Sequence, residues 1–327
     1  MSLSRREFLT RMAAGASMAA LGSRAAADTK VYPGYPDSYG VLHDTTLCIG
    51  CGSCEAACNR VNHLPPPEKP FDDPSVMDTP RRTTPHNHTV VNRFPATPQK
   101  AATSESEAES APGPKPVFCK IQCNHCLEPA CASACFVKAF TKVPEGPVVY
   151  DESLCVGCRY CMVACPFNVP TYEYDKPLTP RVMKCDMCYG RIREGTPPGC
   201  VEVCPEQALI FGKRNVLLDV AKERIQTRRD RYVDHIYGEH EVGGTSWLYI
   251  SDKPFGEIGM RTNLGRTPAP ELTKPFLSAV PIVLTLWPGL LMGAFAFTKR
   301  RETIAGEERA AALEKATKST REEDRNS

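Results

Sequence analysis

Leu154-Cys155-Val156-Gly157-Cys158-Arg159-Tyr160-Cys161-Met162-Val163-Ala164-Cys165-Pro166 decides the fold. Three cysteines two residues apart, in a tight loop, can turn three sulfurs toward one point. The fourth follows three residues later, at the entry of a helix, and points away. C-x2-C-x2-C-x3-C-P is the run that holds a [4Fe–4S] cubane, and in two-cluster proteins its fourth cysteine serves the neighbouring cluster. Gly157 lets the backbone come close to the cluster.

Working outward, 16 of the 17 cysteines fall into four such quartets. Motif one is Cys48, Cys51, Cys54 and Cys58, with the same spacing and with Gly50 and Gly52 inside the loop. Motif two is Cys123, Cys126, Cys131 and Cys135. Motif three is the opening stretch. Motif four is Cys185, Cys188, Cys200 and Cys204, followed by Pro205. Residues 41–51 and 148–158 match at a constant offset of 107, which continues through Ala57/Ala164 and Cys58/Cys165. Cys131-x3-Cys135-x3-Ala139-Phe140 likewise matches Cys200-x3-Cys204-x3-Ala208-Leu209. Duplicated ferredoxin modules produce such self-similarity.

Disulfides are a weaker reading, because a chain this long does not need eight staples and thiols two residues apart pair poorly. Zinc uses C-x2-C pairs, which motif four alone could supply; triplets are not zinc-ribbon spacing. Cys119 lies off the spacing and reads as a spare buried thiol.

The 327-residue chain has a net charge of +2 and 42% hydrophobic residues. Residues 1–27 hold four arginines against one glutamate, so the remainder is close to neutral and carries no nucleic-acid footprint. Ser4-Arg5-Arg6-Glu7-Phe8-Leu9, a small-residue apolar run and Ala25-Ala26-Ala27 read as a twin-arginine signal peptide over 1–27. That route exports proteins already folded around their cofactors. Residues 28–255 read as the four-cluster body. Within it, 64–114 is a Pro/Ser-rich insert with neither helical nor strand period, hence a surface loop, and its His86 and His88 read as solvated. An amphipathic helix is expected over 213–232, with Val216, Val220 and Ile225 facing inward, and a strand over 243–250. After a 256–275 linker, Phe276 to Phe297 gives 22 residues without a charge. As a helix it would span roughly 33 Å, enough for a bilayer core. Trp287 is an unusual mid-span aromatic. Lys299-Arg300-Arg301 follow, so the 298–327 charged tail is expected in the cytoplasm and the iron–sulfur body on the periplasmic face of the inner membrane.

These features resemble the four-cluster iron–sulfur subunits of formate dehydrogenases, sulfur-compound reductases and hydrogenases. Tyr237-Gly238-Glu239-x2-Glu241-x-Gly243-Gly244-Thr245, the export signal and the C-terminal anchor resemble the HybA-type subunit of periplasmic nickel–iron hydrogenases. The resemblance implies an α+β fold of two ferredoxin-like modules binding four [4Fe–4S] clusters, plus the transmembrane helix. It also implies crossed ligand sets. Cluster 1 takes Cys48, Cys51, Cys54 and Cys204. Cluster 2 takes Cys58, Cys185, Cys188 and Cys200. Cluster 3 takes Cys123, Cys126, Cys131 and Cys165, and cluster 4 takes Cys135, Cys155, Cys158 and Cys161. Asn59 and Phe136 stand where proline often follows the last cysteine; no ligand is lost.

Lys184, Arg181, Arg159, Lys120 and Lys138 are expected to offset the thiolate charge, with Lys184 raising the potential of its cluster, and His125 could donate to a sulfur. The sequence shows no catalytic constellation of its own. The expected role is electron relay between the small and large nickel–iron subunits and a multi-span membrane quinone-reductase subunit. A molybdopterin enzyme as the catalytic partner is the first alternative; a redox sensor or a structural assembly subunit is the second.

Overall fold

The computed structural model describes residues 37–95 and 115–325, with side chains as far as residue 315. The twin-arginine stretch, and 96–114 of the insert, lie outside the described residues. The chain divides into two compact units, one ending at Pro270 and one beginning at Glu271.

The first unit is organised by β1 (Tyr39–Asp44), whose residues from Gly40 on are buried. β1 pairs antiparallel with β8 (Leu209–Lys213) and parallel with β9 (Trp247–Ile250), giving a three-stranded sheet in the order β8-β1-β9. Burial on both faces follows from strand alternation. Leu42, Leu248 and Ile250 pack on Leu217, Ala221 and Ile225 of helix α6 (Arg214–Thr227). Val41, Trp247 and Tyr249 face the opposite way, into a core shared with Met187, Cys200 and Tyr237. The helix was expected to bury Val216; it buries Leu217 instead, and Val216 is exposed. The spacing 217, 221, 225 keeps strictly to one helical face, which 216, 220, 225 does not. The expected strand over 243–250 is shorter, because Glu241–Gly243 forms a turn of 3-10 helix.

Short pieces carry the cysteines. Helix α1 (Ser53–Val61) holds Cys54 and Cys58, α2 (Ala130–Ser133) holds Cys131, α3 (Tyr160–Ala164) holds Cys161, and α5 (Gly199–Glu202) holds Cys200. Between α3 and α5 lies α4 (Tyr189–Arg193). Two hairpins, β4 (Phe140–Lys142) with β5 (Val148–Tyr150) and β6 (Thr171–Tyr172) with β7 (Val182–Met183), flank motif three.

The 64–114 insert is not simply a surface loop. Its Val90–Phe94 forms β2 and pairs antiparallel with β3 (Val117–Ile121). Val90, Val91 and Phe94 are buried. Arg81 donates to both carboxylate oxygens of Glu55 on α1, at 3.0 and 2.6 Å, and the Val91 N–H donates to the same group at 2.7 Å. The segment is a strap across motif one. His88, expected in solvent, is buried with neither ring nitrogen hydrogen-bonded, and burial holds its pKa down to about 4; His86 is half-exposed beside Asp175. The expected linker also begins too early: Ile258 is buried in the core, and the Tyr237 hydroxyl donates to the Arg261 carbonyl.

The second unit is one helix. α7 (Ala269–Arg325) is 57 residues long, about 85 Å at helical rise, and runs through Pro275, Pro281 and Pro288. Among the described residues it is the one helix long and apolar enough to cross a membrane, with a mean hydropathy of 1.9 over an 18-residue stretch. Its apolar side chains are exposed, Leu286, Trp287 and Phe295 among them.

Candidate metal centres

None of the 17 cysteines is paired in a disulfide. In the first C-x2-C loop of each of the four motifs the residue before the second cysteine adopts positive φ: Gly50 at 70°, His125 at 47°, Gly157 at 71° and Met187 at 59°. This left-handed residue turns its own N–H back onto the first cysteine. Gly157 donates to Cys155 Sγ at 3.4 Å, Met187 to Cys185 Sγ at 3.3 Å, and Gly50 to Cys48. Such N–H···S bonds favour the thiolate. After the fourth cysteine a second left-handed turn recurs at Lys138, Asn168 and Gln207, each closing onto the carbonyl of that cysteine. Motif one lacks it because α1 continues past Cys58.

The loops bring together cysteines from different motifs. Cys48, Cys51, Cys54 and Cys204 line one cavity. Cys123, Cys126, Cys131 and Cys165 line another. Cys58 feels the charges of Cys200 and Cys188, and Cys185 that of Cys58. Cys161 feels Cys155, Cys158 and Cys135. Among the described residues no three Cys, His, Asp or Glu side chains converge on a single ion. Sulfurs ranged around a cavity suit a cubane, whose four irons are separate corners. Burial pushes the Cys48 thiol up to about 11 and Cys58 and Cys131 up to about 12. Ligation needs thiolates, so cluster insertion here releases protons.

The basic residues separate into two groups. Lys120 and Lys184 are buried. Lys184 lines the second cavity, and its ammonium donates to the Val148 carbonyl and, at 3.0 Å, to the Cys185 carbonyl. Lys120 lines the first. Arg181 is held at the surface by Glu173 and Glu152, while Lys138 and Arg159 are exposed, Arg159 lying over Tyr172 and Tyr174. His125 Nδ1 accepts from the Val148 N–H at 2.9 Å, which leaves the proton on Nε2; Nε2 has no partner, and His125 is not among the residues lining the cavities. Cys119 is fully buried in β3, in the core with Val117 and Trp247, and its burial pushes the thiol up to about 12. His43 went unnoticed in the sequence: buried on β1, it lines the first cavity with Nδ1 unpartnered. Its position on the inward face of β1 was the available signal.

Sulfurs from different motifs gathered around shared cavities, with buried lysines beside them, define a multi-cluster ferredoxin-like electron-transfer protein. Two models of the 4Fe–4S dicluster domain match, over residues 47–139 and 115–214. A protein of Nitratidesulfovibrio vulgaris is 54% identical over 98% of this chain and 84% of its own length. Hydrogenase-2 operon protein HybA of Escherichia coli O157:H7 is 34% identical, covering 79% of this chain and 84% of that protein. The iron–sulfur subunit of the nitrate-inducible formate dehydrogenase of Escherichia coli K12 is 30% identical, covering 67% and 71%. The chain belongs to this family of iron–sulfur electron-transfer subunits, HybA among them, and carries four [4Fe–4S] clusters.

Proposed function

We propose that the chain relays electrons between the nickel–iron subunits of a periplasmic hydrogenase and a multi-span quinone-reductase subunit in the membrane. The observation that carries the hydrogenase reading is the likeness to HybA, which extends over more of the chain than the likeness to the formate dehydrogenase subunit. Cluster 1 is held by Cys48, Cys51, Cys54 and Cys204, and cluster 2 by Cys58, Cys185, Cys188 and Cys200. Cluster 3 is held by Cys123, Cys126, Cys131 and Cys165, and cluster 4 by Cys135, Cys155, Cys158 and Cys161. The two shared cavities and the proximity of the remaining cysteines support these sets. The clusters run in the order 1, 2, 3, 4. Cys54 feels Cys200, Lys184 adjoins Cys185 while lining the third site, and Cys131 feels Cys161. Lys184 raises the potential of cluster 2; a Lys184→Met protein with an unchanged redox titration would count against that.

The exposed apolar side chains around cluster 4, Phe136, Val156, Tyr160 and Val163, support contact with a partner subunit. The twin-arginine stretch supports export, α7 supports single-pass anchorage, and Lys299-Arg300-Arg301 support a cytoplasmic C-terminus. A molybdopterin catalytic partner is the second reading, favoured by the 30% identity to a formate dehydrogenase subunit. Gentle solubilisation of native membranes, affinity capture through the C-terminus and mass spectrometry separate the two. Nickel–iron subunits with a multi-span quinone protein are expected; a molybdopterin chain in their place overturns the hydrogenase reading and keeps the relay.

A further inference from the structure

Lys120 is one of the buried cations of the body. It lies on β3 at 2% exposure. Its ammonium donates to Gln122 Oε1 at 2.9 Å and sits 4.5 Å over the Trp247 ring. The Gln122 amide is itself anchored, donating to the Tyr249 hydroxyl at 2.5 Å. The lysine is therefore fixed in place by neutral groups, and among the described residues no carboxylate forms an ion pair with it. The lysine lines the first cluster cavity, and the Trp247 ring under its ammonium packs in one core with Cys54 of the first cluster site and Cys200 of the second. The charges of Cys185 and Cys58, also of the second site, act on it as well.

We propose that Lys120 is the shared counter-cation of the first and second cluster sites and raises both reduction potentials together. The inference rests on the ligand sets proposed above. Each transfer moves one electron from a reduced cluster to its oxidised neighbour, so the acceptor gains the unit of negative charge that the donor loses. A fixed positive charge in a low-dielectric interior favours the reduced form of any cluster beside it. Placed between two clusters, it lifts both without opening a gap between them, which keeps that step of the relay close to level. Lys120 touches neither substrate nor reacting iron in this account; it is a positioning residue acting through the electrostatic field.

The test is a potentiometric titration followed by electron paramagnetic resonance on the full-length chain purified with its clusters, together with iron and sulfide analysis. Wild type, Lys120→Met, Lys120→Gln and Lys120→Arg are compared. The expected result is four clusters retained in every variant. Two of the four midpoints fall in both neutral variants, and both stay near the wild-type values in Lys120→Arg, which keeps the charge. Unchanged midpoints in the neutral variants would overturn the proposal, and so would a shift confined to one cluster. Loss of iron from both neutral variants would also overturn it, in favour of a purely structural lysine. Fewer than four clusters in the wild-type chain would instead fault the ligand sets on which the inference rests.

Discussion

Motif one and motif three are the same sequence device set in two different surroundings. Both place a left-handed residue at the matching loop position, Gly50 at 70° and Gly157 at 71°, and a second at the residue before the helix, Gly52 at 72° and Arg159 at 61°. From there they diverge. Motif one runs into a nine-residue helix whose Glu55 is buried under the 81–94 strap, and its cavity backs onto the central sheet. Motif three runs into a five-residue helix that leaves Tyr160 and Val163 in solvent, with Val156 exposed beside them. The repeat sets how sulfurs are presented. What covers the repeat decides how much of the motif's helix is left open to a partner.

The largest expected effect comes from removing the cover. Glu55→Ala leaves the Val91 N–H and the Arg81 guanidinium without their acceptor, and breaking such a buried pair costs about 3 kcal/mol. At the matching position Met162→Ala trims a half-buried side chain, for about 1 kcal/mol. Thermal loss of the visible cluster absorbance should therefore move to lower temperature much further in the first variant. Equal shifts would mean that the strap contributes nothing to motif one.

Next is the loop residue itself. In Gly52→Ala the new Cβ would run into the Phe71 carbonyl of the 64–114 insert at a backbone angle that disfavours any side chain, a loss of about 2 kcal/mol. Arg159→Gly relieves the same backbone conformation by about 1 kcal/mol and forfeits a stacking contact of similar size, so its stability should stay close to wild type. The pair is read in the same melting experiment, and a Gly52→Ala protein as stable as wild type would refute the steric argument.

The smallest effect on stability is expected where motif three meets solvent. Val163→Asp changes a side chain that is 79% exposed, and its melting should move by less than about 0.5 kcal/mol. Recovery of partner subunits in the membrane capture should nevertheless fall, because a charge enters the proposed contact face. Undiminished recovery would remove that face from the account.

Much of this was legible because cysteine spacing is a direct statement of ligand geometry. The terminal apolar helix was read from the pattern alone, and the α+β fold from the family resemblance that the motifs carry. Three features were not. Left-handed turns are announced by glycine in motifs one and three, whereas His125 and Met187 adopt the same conformation without that signal, because the loop geometry demands it of whatever residue stands there. Val90–Phe94 carries no alternation, since Val91 is buried on one face as Val90, Asn92 and Phe94 are on the other, and it lies among prolines and charges that read as loop. The five basic residues near cysteines looked equivalent in one dimension; only burial separates Lys120 and Lys184 from Arg181, Arg159 and Lys138.

The crossed pairing of motifs one and four is the claim on which the relay depends. Iron-edge anomalous diffraction from crystals of the cluster-loaded chain tests it most directly. The account predicts four iron clusters, with Cys204 ligating the one held by Cys48, Cys51 and Cys54, and Cys58 ligating the one held by Cys185, Cys188 and Cys200. A cluster bound by Cys48, Cys51, Cys54 and Cys58 together would contradict it.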